Sequence, residues 1–135
     1  MNQRGFATLE VILMVMVIGI LASIAVPRFT SVTTAANTAK IQADLSTIDT
    51  AIAIYVMEKG TSTAPTMTLL EPYLQDAANV KPPTGNAYIN GTSTPISNTS
   101  YAFENKGTDN APDYRATLDG HTAGEFTNKT KTSGN

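Results

Sequence analysis

The feature that most constrains this chain is a long apolar run near its N-terminus. From Val11 to Val26 almost every side chain is apolar, and these residues surround a helix instead of forming one stripe. A helix of this kind must be buried in lipid or in protein. As a helix, the segment 6–26 would extend roughly 32 Å, which is enough to cross the hydrocarbon core of a bilayer. The sequence therefore predicts a single-pass transmembrane helix.

A carboxylate, Glu10, lies at the start of this apolar run. An acid costs a few kcal/mol at the bilayer centre and less near the interface, so one interpretation is an acid tolerated at headgroup depth. A second interpretation is a secretory signal peptide, for which Ser23–Ala25 offers a small-x-small cleavage site. The acid inside the apolar segment and the helical pattern beyond the supposed site argue against that signal.

A third interpretation gives Glu10 a partner of opposite charge. Cleavage between Gly5 and Phe6 would free an α-amino group, which is mostly protonated at neutral pH. Glu10 lies more than one turn from this amine within its own helix, so their geometry is poor. A neighbouring, axially shifted copy would bring its amine beside Glu10, and the pair would fix the register between subunits while adding little net stability.

The helical pattern resumes after Pro27, a residue that is expected to kink the helix. The next segment, 27–59, is amphipathic, and Gly60 is expected to end it. We therefore predict one helix from Phe6 to about Lys59. The residues expected to face the core recur every three or four positions. They are Ile41, Leu45, Ile48, Ile52 and either Tyr55 or Val56.

The rest of the chain predicts a small antiparallel sheet. A short helix comes first, which Pro72 either interrupts or continues by opening its second turn, and the turn sequence "KPPTGNAY" follows. The strand candidates are Ala87–Asn90, Ser100–Glu104 and Tyr114–Leu118, joined by Gly91–Asn98 and Asn105–Asp113 as a meander on the amphipathic helix. The predicted class is α+β, with a leader at 1–5, a membrane half at 6–26, an amphipathic half at 27–59, a globular domain at 60–127 and a flexible tail at 128–135.

Composition excludes several functions. The formal net charge is −2 and no cysteine is present, which argues against direct nucleic-acid binding and against thiolate sites. His121 is the only histidine, and the sequence contains neither a serine elbow nor a phosphate loop, so we expect no enzyme activity and no cofactor. The possible oxygen ligands for calcium are Asp109, Asp113, Asp119 and Glu125. Their spacing matches no known calcium motif, so no metal is predicted.

The stretch "RGFATLE", followed by the apolar run, Pro27 and an amphipathic helix, resembles the type IV pilins and the pseudopilins of type II secretion. The resemblance covers roughly the first half of the chain, where Ala7 and Thr8 depart mildly from the commonest residues. It implies that a prepilin peptidase cuts after Gly5 and methylates the amine of Phe6. It also implies that Glu10 is the assembly acid and that Pro27 is the proline of the family helix.

The resemblance implies a structural subunit that polymerises through its N-terminal helix. The implied partners are copies of the same chain, a prepilin peptidase and the assembly machinery of the membrane. The subunit would reside in the cytoplasmic membrane and then in an extracytoplasmic or cell-surface filament. A pilus for adhesion or motility, a secretion pseudopilus and a DNA-uptake pilus all remain open. The alternative is a membrane-anchored extracytoplasmic binding module that does not polymerise.

Overall fold

Helix α1 extends from Gln3 to Lys59, which confirms the predicted long helix. The computed structural model describes residues 3–131. Gly60 ends the helix at φ 80°, a left-handed conformation that glycine adopts without a Cβ penalty. Its N–H donates to the carbonyl of Val56 at 2.8 Å, as expected for a C-terminal stop.

The chain divides into two compact units, Met1–Thr33 and Thr34–Asn135. The described part of the first unit is helix throughout, and all its side chains except that of Ala25 are exposed. Its hydroxyl groups are satisfied by the helix itself: Thr8 donates to the carbonyl of Arg4 at 2.9 Å and Ser23 to that of Ile20 at 2.7 Å. Polar groups satisfied within the helix suit a surrounding without water.

The second unit is an α+β domain, as predicted. The part of α1 that begins at Thr34 is followed by a short helix α2 (Met67–Leu70) and by a 3₁₀ turn, Glu71–Tyr73, that contains Pro72. Two further 3₁₀ turns are found at Ala77–Asn79 and Ala123–Glu125. The strands are β1 (Asn86–Ile89), β2 (Thr92–Pro95), β3 (Ala102–Asn105) and β4 (Tyr114–Thr117).

The predicted three-stranded meander is wrong. The four strands form two separate antiparallel pairs, β1 with β2 and β3 with β4. Strand β2 lies in the segment that was expected to be only a connection. Asn90 and Gly91 adopt φ angles of 48° and 85° and make a two-residue hairpin turn between the paired residues Ile89 and Thr92. An Asn-Gly pair is a strong hairpin signal, and reading Asn90 as the end of a strand concealed it.

Polar side chains of helix α1 bond to one strand of each sheet. Thr38 Oγ1 accepts the N–H of Tyr88 on β1 at 2.7 Å, and Asp49 Oδ1 accepts the N–H of Ala116 on β4 at 2.8 Å. Asn37 Nδ2 also donates to the carbonyl of Asn86 at 2.9 Å. These bonds cover one edge of each sheet with helix side chains, so that edge offers no free backbone group at these positions to a further strand.

The core forms between the predicted helix face and the loops and strands that follow it. Ile41, Leu45 and Ile48 are fully buried, and Ile52 is 3% exposed, so the predicted face is confirmed. Tyr55 occupies the last core position, while Val56 packs at its margin. Thr34 and Thr38 extend the same face and are buried too. The facing residues come from the rest of the unit and are Leu70, Leu74, Ala77, Ala87, Tyr101, Ala116, Leu118 and Phe126.

The last described residues lie against the β1–β2 hairpin. Gly91 donates its N–H to the carbonyl of Thr127 at 2.9 Å. A Cβ at Gly91 would approach the backbone nitrogen of Thr130 to 2.9 Å, so glycine permits this contact. The predicted tail, 128–135, lies only partly within the described residues.

Candidate functional site: the exposed apolar half of helix α1

One face of the first unit combines apolar side chains with a single acid. Glu10, Leu13, Met14, Val17 and Ile18 line a continuous shallow surface. Their spacing of three and four residues places them side by side along the helix. Glu10 therefore lies at the end of an apolar stripe on the same helix face.

The apolar side chains of this unit are all strongly exposed. Among the large ones from Phe6 to Val32, the exposed fraction ranges from 51% at Ile12 to 70% at Phe29. An 18-residue window of α1 has a mean hydropathy of 2.7, and none of it is buried. A core helix of a soluble protein would be mostly covered by its own chain. An uncovered apolar surface of this extent requires lipid or another protein.

Two charged side chains occur in the segment 6–33, and they are Glu10 and Arg28. Both are exposed. Within residues 3–131, no ion pair or side-chain hydrogen bond joins either of them to another group of the same chain. The carboxylate and the guanidinium are therefore both available to a partner from outside the molecule.

The predicted processing residues are accessible. Gly5 lies in the first turns of α1, and a Cβ added there would meet no atom within 4 Å. Phe6 is 68% exposed. Pro27 lies inside the same helix and supplies no N–H to its ladder. The structure thus places Gly5, Phe6, Glu10 and Pro27 on one helix, and their processing and assembly roles remain predictions.

The candidate calcium ligands are not brought together. In the described part of the chain, no group of three or more histidine, cysteine, aspartate or glutamate side chains is positioned to hold a metal ion. Asp119 accepts the N–H groups of Ser97 and Asn98 at 2.8 and 3.0 Å. Asp113 pairs with the Arg115 guanidinium at 3.1 Å. These two carboxylates therefore have structural partners.

Glu125 caps the last 3₁₀ turn. Its carboxylate accepts the N–H of Thr122 at 2.8 Å and lies 3.2 Å from Nδ1 of His121. Partial burial acts to raise the pKa of Glu125, but the bonds from Thr122 and His121 together outweigh it and lower that pKa. His121 and Glu125 thus form a local contact that orders the turn.

Two acids of helix α1 have roles that the sequence did not indicate. Asp44 accepts a hydrogen bond from the Tyr101 hydroxyl at 2.6 Å, and burial and this bond raise the pKa of Tyr101. Burial is also the main cause that raises the pKa of Asp49, which accepts the Ala116 N–H. Both acids lie beside the apolar face and would be read as solvated. Their partners are more than 50 residues away, so no local signal predicts them.

Comparison with known proteins supports the resemblance to type IV pilins. The chain is 39% identical over 58 residues to the type IV narrow pilus major component PilA5 of Thermus thermophilus. The match covers 43% of this chain and 50% of that protein, so the chain spans about half the length of the curated relative it matches. No family model and no solved structure matches. The predicted resemblance to type IV pilins is therefore confirmed by a curated relative.

Proposed function

We propose that this chain is a structural subunit of a type IV pilus-like filament. The observation that carries the proposal is the apolar half of helix α1, which the described residues leave uncovered and which bears one carboxylate. The second unit has its own core and does not need that half to bury its apolar residues. A subunit built this way has one part that folds by itself and one part that needs other molecules.

Lipid covers the apolar half before assembly, and neighbouring helices cover it afterwards. Either environment removes the same side chains from water, at roughly 1.5–3 kcal/mol for each large one that becomes fully buried. Lipid does not explain Glu10, because a carboxylate among acyl chains is unfavourable. A neighbouring protein does explain it, if that neighbour supplies a positive charge.

The positive charge is the α-amino group that a prepilin peptidase creates by cutting between Gly5 and Phe6. A Cβ added to Gly5 would meet no atom within 4 Å, so a peptidase has room to approach this residue. The same enzyme class would methylate the Phe6 amine. The amine of an incoming copy then lies beside Glu10, and the two charges neutralise each other in an apolar surrounding. Pairing of this kind chiefly determines which axial positions are allowed.

The localisation follows from the helix. Before assembly the chain is a single-pass protein of the cytoplasmic membrane, where it is cut. The assembly machinery then inserts it into an extracytoplasmic filament. Contacts between different surfaces of identical subunits generate open helical filaments. A motility or adhesion pilus, a DNA-uptake pilus and a secretion pseudopilus are all compatible with this arrangement. No catalytic step is proposed.

The experiment is to determine the N-terminus of the mature protein by mass spectrometry of sheared filaments and of membranes. We expect a chain that begins at a methylated Phe6 in both fractions. A Gly5→Leu variant serves as the control, because a bulky residue at the cut should leave the precursor whole and in the membrane.

The other outcomes decide between the alternatives. A mature protein that begins at Met1 and never leaves the membrane would identify a membrane-anchored binding module. A protein that begins at Val26 would identify a secretory signal peptide. Normal trimming of Gly5→Leu would contradict the assigned cleavage site.

A further inference from the structure

The turn between strands β1 and β2 contains the one Asn-Gly pair of the sequence, Asn90-Gly91. Such a pair can modify itself. The backbone nitrogen of Gly91 can attack the side-chain Cγ of Asn90, because glycine has no side chain to hinder the approach and rotates freely. The reaction needs no reactant other than water, so the fold alone decides whether it occurs at this turn.

The modification is a deamidation that passes through a ring. The Gly91 nitrogen loses its proton and forms a bond to Cγ of Asn90, while the bond from Cγ to Nδ2 breaks and ammonia leaves with that proton. Water then opens the resulting five-membered succinimide and leaves an aspartyl or an isoaspartyl residue. The isoaspartyl product has an extra methylene in the main chain, which does not fit a two-residue turn between the paired residues Ile89 and Thr92.

The fold restrains the attacking nitrogen. The Gly91 N–H donates to the carbonyl of Thr127 at 2.9 Å, and the Asn90 N–H donates to the carbonyl of Glu125 at 2.8 Å. Loss of the Gly91 proton would leave a negative nitrogen facing the Thr127 carbonyl oxygen, which is unfavourable. The two bonds also hold the turn at φ angles of 48° and 85°, so they oppose the rotation that would bring the nitrogen to Cγ.

The side chain that would be attacked is restrained as well. Oδ1 of Asn90 is buried, and no donor among residues 3–131 bonds to it. Attack at Cγ moves negative charge onto this oxygen, and a buried oxygen that lacks a donor makes that charge unfavourable. The surroundings therefore disfavour ring closure at both reacting groups.

The two carbonyl groups that hold the turn belong to one segment, residues 125–127, which we call the clamp. Phe126 at its centre is only 1% exposed and belongs to the core. The Glu125 carboxylate accepts the N–H of Thr122 at 2.8 Å, which orders the turn before Phe126. The clamp is therefore fixed by contacts of its own, and the hairpin turn rests against it.

We propose that Asn90 is a latent deamidation site and that the clamp keeps it closed. While residues 125–127 hold the turn, Asn90 remains an asparagine. When the clamp leaves the hairpin, Asn90 deamidates, and the isoaspartyl product prevents the turn from forming again. Release of the clamp thereby becomes irreversible. This chemistry belongs to the second unit and does not depend on whether the chain forms a filament.

Two truncations of the full-length chain in detergent test the clamp. A chain that ends at Phe126 loses the Thr127 carbonyl, whereas a chain that ends at Asn128 keeps it and is the matched control. Peptide mass spectrometry after incubation in mildly alkaline buffer measures the converted fraction of Asn90. We expect conversion about tenfold faster in the chain that ends at Phe126, because one hydrogen bond of ordinary net strength corresponds to about that factor. The control should convert at the rate of the intact chain.

The other outcomes overturn the proposal or are resolved by a second measurement. Equal conversion rates in the two truncations would overturn it, and so would conversion in the intact chain as fast as in the same chain unfolded in urea. Circular dichroism shows whether the chain that ends at Phe126 keeps its fold. If it does not, hydrogen–deuterium exchange of the Gly91 amide in the intact chain decides. Exchange about tenfold slower than in the unfolded chain supports the clamp, and exchange that is not slowed overturns it.

Discussion

Val17 and Ile48 are both β-branched aliphatic residues of helix α1, yet Val17 is 55% exposed and Ile48 is fully buried. The difference does not come from local helix propensity, which is similar for the two residues. It comes from what the chain brings to each place. Around Ile48 the later segments supply a core, whereas around Val17 none of residues 3–131 covers the side chain. In the proposed filament, lipid or other subunits cover the apolar residues of the first unit.

The two units also differ in whether their acidic side chains have partners within the chain. In the second unit, Asp44 and Asp49 each find a partner within the chain. In the first unit, Glu10 has no partner among the described residues. An acid that is paired internally stabilises one fold, and an acid that is left unpaired is available to specify a contact between copies.

The largest expected effect is at Glu10. Glu10→Gln should still insert in the membrane and be cut, because removing a charge from the apolar segment makes insertion easier. Assembly should fall by a hundredfold or so, since an unpaired buried amine costs several kcal/mol. The measurement is the ratio of cut subunit in sheared filaments to that in membranes. Glu10→Asp should be intermediate, and normal filaments from Glu10→Gln would return Glu10 to a tolerated interfacial acid.

The second prediction concerns the core of the second unit. A fragment that lacks residues 1–28 should be soluble and monomeric. Within it, Leu45→Ala should lower the free energy of unfolding by about 2–5 kcal/mol, because Leu45 is fully buried. The matched control is Ile54→Ala on the same helix, where 46% of the side chain is exposed and a loss of about 1 kcal/mol or less is expected. Urea unfolding followed by circular dichroism measures both, and equal losses would show that the core is misplaced.

A smaller effect is expected where helix α1 covers the first sheet. Thr38→Val keeps the size of the side chain but leaves the N–H of Tyr88 without its acceptor, which should cost about 1–3 kcal/mol. Thr47→Val is the control, because the Thr47 hydroxyl is exposed and bonds only the carbonyl of Ala43 in its own helix. A shift of the urea midpoint in the Thr47 variant as large as in the Thr38 variant would contradict this account of the sheet edge.

The smallest predicted effect is a pH dependence at Asp49. Burial, the main influence, raises the pKa of Asp49 in the folded unit, although the Ala116 N–H and Arg115 oppose it. The folded state then keeps its proton at a pH where the unfolded state has lost it. Stability from this group therefore falls as the pH rises from about 4 through the raised pKa.

Asp49→Asn should remove that fall, since asparagine does not titrate and still offers an oxygen to Ala116. The urea midpoints of the fragment at pH 4 and pH 7 measure it. Glu125, whose pKa is lowered, is present in both proteins and cancels in the comparison. An unchanged pH profile in the variant would assign the dependence to other groups.

Sequence reasoning succeeded where the signal is local and periodic. The spacing of Ile41, Leu45, Ile48 and Ile52 predicted the buried face, and Gly60 predicted the helix end. It failed where a polar residue is buried through a distant partner. Thr38 resembles any surface threonine until Tyr88, which is 50 residues later, donates to it.

Strand β2, the partner of β1, was equally hidden. Thr92–Pro95 contains polar residues and a proline and looks like a turn, so only the Asn90-Gly91 pair indicated a hairpin. The candidate site is different, because Gly5, Phe6, Glu10 and Arg28 all lie on one helix whose geometry follows from spacing alone. What spacing cannot supply is the neighbouring copy that would meet them.

In the proposed filament, protein, and not only lipid, covers the apolar half of helix α1. This coverage is tested most directly by the reactivity of Val17→Cys toward a membrane-impermeant maleimide in sheared, membrane-free filaments. Thr63→Cys, in the exposed loop after α1, is the control. We predict that Val17→Cys reacts at least tenfold more slowly in filaments than after denaturation, while Thr63→Cys reacts at similar rates in both. Equal reactivity of Val17→Cys in the two states would contradict the account.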